Sequence, residues 1–186
     1  MTNLQDELMD IYDEHRNLLG NQVPRAEAKQ LADGQFYLVT TVWVMTPDGK
    51  LLITQRSANR ETNPGRWECT GGAVDAGETS REAACRELEE EIGLEVEETE
   101  LIFLHTQVRG NHFVDAWLVK KPVVPEALTL QQDEVADARL ITFEQLEQLA
   151  ESEEMMVPAC SSIFHHCHDK FQMLVQALTD AEGDKD

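Results

Sequence analysis

Residues Gly72 to Leu94 read G-A-V-D-A-G-E-T-S-R-E-A-A-C-R-E-L-E-E-E-I-G-L, a glycine-bearing loop followed by a short helical pattern that carries Glu87, Glu90 and Glu91. On a helix, residues three and four apart are neighbours, so these three carboxylates share one stripe. Like charges at that spacing repel by roughly 0.2–0.5 kcal/mol per pair unless something positive lies between them. A divalent cation meets that need, and the run has the outline of a metal site.

The helix is well marked at both ends. Thr79 is placed to cap its N-terminus, with Glu82 three residues on to return the bond, a capping box. Gly93 suits the left-handed turn just past a helix end. Ala84, Leu88 and Ile92 recur every fourth residue and give the helix a line to bury, while Glu89 and Glu95 point elsewhere.

The run fits the pattern G-x5-E-x7-R-E-U-x-E-E-x-G-U, with U a bulky apolar residue, at every specified position, and so resembles the signature of the Nudix hydrolases. That resemblance implies an α/β (α+β) fold, an α/β/α sandwich about a mixed central sheet. It also implies Mg²⁺- or Mn²⁺-dependent hydrolysis of a nucleoside diphosphate, or a similar diphosphate, linked to another group. By the same analogy Glu87, Glu90 and Glu91 are metal ligands with the Gly72 carbonyl a fourth, and Glu87 is a candidate base. Arg86 and Glu78 match positions that pair to orient loop and helix. The chemistry agrees, because hard divalent cations prefer carboxylate oxygens and Mg²⁺ is held by a few carboxylates, waters and substrate phosphates.

Composition is that of one domain: 186 residues, 41% of them hydrophobic. The net charge of −21 argues against a nucleic-acid polymer as partner, since that affinity comes from Lys and Arg neutralising phosphates. A chain this acidic also repels a diphosphate, so bound cations must invert the local field. Arg56, Arg60 and Arg66, just upstream of the loop, are the candidate phosphate clamp. No run reaches the ~18 apolar residues of a membrane span, and the N-terminus has no signal-peptide pattern. Cytoplasmic location and four free, mostly buried thiols are expected from Cys69, Cys85, Cys160 and Cys167, which lack a C-x-x-C spacing.

Along the chain, Phe36–Met45 and Leu51–Gln55 read as a hairpin about Pro47-Asp48-Gly49. Strands are expected at Leu101–Val108 and Phe113–Val119 and a short one at Leu140–Ile141. Thr142 and Gln145 make a second capping box, and a last helix follows Pro158. The domain spans 34–178, preceded by an extension over 1–33 that packs on it and followed by a flexible acidic tail at 179–186. The extension and the run G-Q-F-Y-L-V-T-T-V-W-V resemble the Nudix branch related to isopentenyl diphosphate isomerase, where this segment forms paired strands. Leu4, Leu8, Ile11, Tyr12 and Leu18 would suit a helix instead; the strand reading is preferred.

Glu134, in Gln131-Gln132-Asp133-Glu134-Val135, is the candidate acid outside the run, as base or extra ligand. Two other functions share the resemblance. An isomerase needs a cysteine followed by Gly-His-Pro, whereas this chain reads Trp67-Glu68-Cys69-Thr70-Gly71-Gly72. A non-catalytic sensor module usually loses one of the carboxylates, and none is lost here. Cys160, His165, His166, Cys167 and His168 suggest zinc, but Cys160, Ile163, Phe164, Cys167, Phe171 and Leu174 form one apolar helical face. His105, His112 and Asp115 flank a hairpin near the expected substrate cleft, with the strand histidines read as packing or surface residues. The places past the signature where related ADP-ribose and diadenosine polyphosphate hydrolases carry proline or tyrosine hold Arg109 to His112, and the substrate stays unassigned. A homodimer is compatible with the resemblance.

Overall fold

The computed structural model describes residues 7–152 and 155–183. Leu4 and the tail residues 184–186 lie outside them. The chain opens with an antiparallel pair, β1 (Leu8–Tyr12) and β2 (Leu18–Pro24), joined by a turn in which the Asp13 carboxylate accepts from the amides of His15 and Asn17. Met9 and Ile11 are buried and their neighbours are not, a strand alternation that overrides the helical spacing of the same residues. A short 3₁₀ turn, Arg25–Gln30, leads on to β3 (Tyr37–Met45).

The central sheet has seven strands: β3, then β4 (Leu51–Arg56), β5 (Trp67–Glu68), β6 (Thr70–Ala73), β7 (Ile102–Arg109), β8 (His112–Lys120) and β9 (Val135–Ile141). It is mixed, because β3 runs parallel to β8 from Tyr37↔His112 to Met45↔Lys120 while every other pairing is antiparallel. The expected hairpin of β3 and β4 pairs only at Val44↔Leu52 and Met45↔Leu51. Beyond that the two strands diverge, and the segment 67–73 fills the gap, β5 pairing with β4 and β6 with β3. The last strand is longer than Leu140–Ile141: it pairs along β4 from Leu51↔Ile141 to Arg56↔Val135, carrying exposed polar residues such as Asp137 that weaken its sequence signal.

Helices cover both faces. Strand alternation sends Trp43, Met45, Leu51, Ile53 and Leu118 to one side, where they meet Phe164 and Phe171 of α3 (Pro158–Gly183) and Leu146 of α2 (Phe143–Ala150). Val42, Val44, Leu52, Trp117 and Val119 face the other side and pack on Ala84, Leu88 and Ile92 of α1 (Ser80–Ile92). This is the α/β/α sandwich. α3 runs on to Gly183, so 179–183 continue the helix. At the outer strand β7, the Lys170 ammonium donates to the carbonyl of Phe103 at 2.6 Å. Among the described residues no helix is long and apolar enough to cross a membrane.

Candidate active site

The helix α1 begins and ends as its sequence requires. Thr79 Oγ1 accepts from the Glu82 amide at 3.2 Å, the Glu82 carboxylate accepts from the Thr79 amide at 2.8 Å, and Gly93 closes the helix at φ 68°. Those fixed ends set its rotation. Leu88 and Ile92 go into the core, and Glu87 and Glu91, beside them on the helix, are buried with them. Glu90 stays on the rim with its side chain 56% exposed.

Under this helix lies the segment that fills the gap between β3 and β4. A Cβ on Gly71 would overlap the Thr40 carbonyl, so that glycine is demanded by close approach, and a Cβ on Gly72 would displace the Glu87 carboxylate that rests on it. The Gly72 backbone and Glu87 are thereby held in contact. Arg86 ties loop to helix: Nε and Nη2 each donate to Glu78 at 3.0 Å, Nη2 also reaches the Ala73 carbonyl, and Nη1 donates to Glu87 at 2.8 Å and Glu90 at 3.1 Å.

Glu134 arrives from a loop hung on the end of α1. The Gln131 amide donates to the Glu91 carbonyl and the Thr129 amide to that of Ile92. Glu134 then pairs with Arg60 at 2.5 Å. Arg56 pairs with Glu68, also at 2.5 Å, and its Nε donates to the Thr62 carbonyl. The Arg66 side chain is half-buried and makes no ion pair among the described residues. Two of the three expected clamp arginines are thus already held by acids.

Burial raises the Glu87 carboxyl to about 7 against the pull of Arg86. Burial likewise pushes Glu91 well above the usual carboxylate range, helped by the negative charges of Glu87, Glu68 and Glu134 and opposed by a bond from the Gly71 amide. Glu68 is raised by burial too, with Arg56 pulling it down. Four carboxylates therefore sense one another around the glycine segment, and Glu68 is the one the sequence reading passed over. The signal was available: in Trp67-Glu68-Cys69 the period of two sends the Trp67 and Cys69 side chains into the α3 core, which leaves Glu68 facing α1.

The donor set suits a hard divalent cation: carboxylate oxygens and a backbone carbonyl beside a glycine that admits no side chain. Raised carboxyls packed against one another are the state such a cation relieves. The tail offers nothing comparable. Cys160 and Cys167 are buried in the core, His166 stacks on His105 and His168 bonds Glu147; as the side chains stand, no three His, Cys, Asp or Glu among the described residues converge on one ion, either here or at the carboxylates of α1, where Arg86 is bonded to Glu87 and Glu90. Asp115 is buried and accepts from Arg16, from Ser80 Oγ and from Thr106 Oγ1, while His112 stacks on Tyr37, both structural roles. All four cysteines are free thiols, Cys85 half-buried and the others buried.

The chain is similar to known proteins over most of its length. The NUDIX domain family model matches residues 36–160. An uncharacterized Nudix hydrolase of Listeria monocytogenes is 39% identical over 150 residues, covering 79% of this chain and 86% of that protein. The similarity to the isopentenyl-diphosphate delta-isomerase of Escherichia coli is weaker, 28% over 118 residues and 59% of this chain. Among solved structures, the crystal structure of a Deinococcus radiodurans protein superposes with a TM-score of 0.70 at 21% identity, covering 87% of this chain and 99% of that one.

Proposed function

This chain belongs to the Nudix hydrolase family, whose members act on phosphoric anhydride bonds, and from that premise we propose that it is a Mg²⁺- or Mn²⁺-dependent pyrophosphohydrolase of a nucleoside diphosphate linked to a further group. The observation that carries the reading is the burial of Glu87 and Glu91 against the glycine segment, because burying carboxylates without need costs stability. Glu87, Glu90, Glu91 and the Gly72 carbonyl would hold the metal, which supplies charge for the phosphoryl oxygens and lowers the pKa of a bound water.

The chain's own residues do the rest. Arg86 fixes the distance between loop and helix through Glu78 and the Ala73 carbonyl. Arg60 and Arg56 hold Glu134 and Glu68 at the rim, and Arg66 is free to meet a phosphate. Glu134, next to the cluster but less enclosed than Glu91, is the base assigned to the attacking water. The attack is by water on phosphorus without a covalent enzyme intermediate. Cys69 is no nucleophile for an isomerase: its thiol is raised well above its usual range by burial and lies 3.4 Å from the Cys160 sulfur inside the core. The domain limits 34–178, the extension over 1–33, a cytoplasmic location and a possible homodimer belong to the same reading.

The test is product release from nucleotide sugars, dinucleotides, nucleoside triphosphates and isoprenoid diphosphates, with Mg²⁺ or Mn²⁺ and with chelator. Metal-dependent cleavage of one class, abolished by chelator, is the expected result. Binding that raises the melting temperature without any cleavage would replace the hydrolase with a sensor module.

A further inference from the structure

The extension before the family domain is fastened to the metal-binding loop. The carbonyl of Leu8 accepts from the Ala76 amide at 2.8 Å, and the Asp10 carboxylate accepts from the Gly77 amide at 2.7 Å. Met9 packs with Ala28 and Ala73 in a small buried cluster. At the far end of the hairpin, the Arg16 guanidinium grips buried Asp115 with two nitrogens. Anchored at both ends, the arm fixes the position of the 3₁₀ turn at 25–30.

The first residue of that turn is Arg25. Its Nη1 lies 2.8 Å from a Glu7 carboxylate oxygen, and its backbone amide donates to the Glu7 carbonyl. Its positive charge also acts on Glu87 and Asp75, carboxylates on the helix and the loop of the site. Ala28 of the same turn packs with Ala73, next to Gly72, so the turn that carries Arg25 lies beside the candidate site although it precedes the residues that the family model matches.

Its partner distinguishes it from the other arginines. Arg56, Arg60 and Arg86 are each bound to an acid of the site, and turning one of them towards a phosphate leaves an enclosed carboxylate unpaired, a loss of several kcal/mol when the group is buried. Glu7 lies on the arm, outside the carboxylate cluster, and its side chain is 23% exposed against 14% for Glu134 and 9% for Glu87, so releasing it adds no unpaired charge to the cluster. Arg25 has the planar fork suited to phosphate oxygens.

We propose that Arg25 is a phosphate-binding residue of the active site, exchanging Glu7 for an oxygen of the substrate's diphosphate, so that the N-terminal arm is part of the binding apparatus. This rests on the pyrophosphohydrolase reading above. The experiment is calorimetric binding of methylenediphosphonate with Mg²⁺ to the full chain, with Mn²⁺ affinity followed separately by electron paramagnetic resonance. Arg25→Gln should weaken diphosphonate binding about tenfold or more and keep or tighten Mn²⁺. Arg25→Lys, which keeps the charge and loses the fork, should recover only part of the affinity that Arg25→Gln loses. If the parent binds the diphosphonate and Arg25→Gln binds it equally well, the assignment of Arg25 is wrong while the hydrolase reading stands. A parent chain that binds neither Mn²⁺ nor the diphosphonate sinks both. Should Arg25→Gln fail to fold, Glu7→Gln decides, since freeing Arg25 should tighten binding about twofold or more, and unchanged or weaker binding overturns the proposal.

Discussion

Both faces of the central sheet are buried, and they bury opposite things. Against α2 and α3 the sheet presents Trp43, Met45, Leu51 and Ile53, which meet Phe164 and Phe171 with no acid among them. Against α1 the same strands present Val42, Val44 and Leu52, and the helix brings Glu87 and Glu91 along with Leu88 and Ile92. The helices α2 and α3 contribute apolar contact and, among the described residues, bury no acid. The helix α1 contributes contact and uses part of it to hold charges where water would not leave them, and the contrast separates the source of stability from the source of chemistry.

That contrast has measurable consequences. The largest effect should come from the apolar face: Phe164→Ala, at the centre of the aromatic cluster, should cost about 3–5 kcal/mol in denaturant unfolding. A loss below about 1 kcal/mol would mean that α3 is not what secures the sheet. On the α1 face the sign with pH is the informative quantity. Because burial raises the Glu87 carboxyl to about 7, the folded chain holds a proton that the unfolded chain releases near its ordinary value of 4.5. In chelator, stability should therefore fall as pH rises from about 4.5 to about 7 and level off above, by about 3 kcal/mol as an upper figure. Glu91 adds to the same trend, and Glu87→Gln should flatten it. A Glu87→Gln chain with the parent's slope would remove Glu87 from the account.

Glu91→Gln comes next. It should lower turnover at least a hundredfold, about 2.7 kcal/mol on the barrier, while stability in chelator stays level or rises, because glutamine imitates the protonated acid. Full activity in this variant would take Glu91 out of the site. The smallest effect is Thr79→Ala, which removes the cap of α1 and should cost about 1 kcal/mol. Its interest lies in where the damage falls: metal affinity should drop along with stability if the start of α1 sets the carboxylate positions.

The sequence foretold the α1 face better than the sheet beneath it. Spacing within a single helix is local, so the Thr79 cap, the Gly93 turn and the stripe of acids could be read directly. The arrangement of strands was harder. The division of β3 and β4 by residues 67–73 depends on pairings between distant segments, and the two short strands there, one of them Thr-Gly-Gly-Ala, carry almost no strand preference of their own. Glu68 was missed for that reason. Arg25 belongs to Arg25-Ala26-Glu27-Ala28, a run that bears on the resemblance but assigns the arginine no role, and only the docking of the hairpin on Ala76 and Gly77 brings it near the helix. The long edge strand β9 escaped because half its residues face water.

The parallel pairing of β3 with β8 also sets an order of assembly in time. Tyr37 must wait for His112, and the Glu134 loop follows later still, so a chain growing from its N-terminus completes the signature helix well before it can close the sheet that seats it. Joining strands so distant in sequence is slow compared with forming a hairpin. During that interval Leu88 and Ile92 have Val42, Val44 and Leu52 to pack on, while Trp117 and Val119 are still to come. The proposed active site is therefore completed late, because Glu134 and the β8 side of the packing that seats α1 come after residue 112, and a nascent chain halted there carries the complete signature on an unfinished sheet.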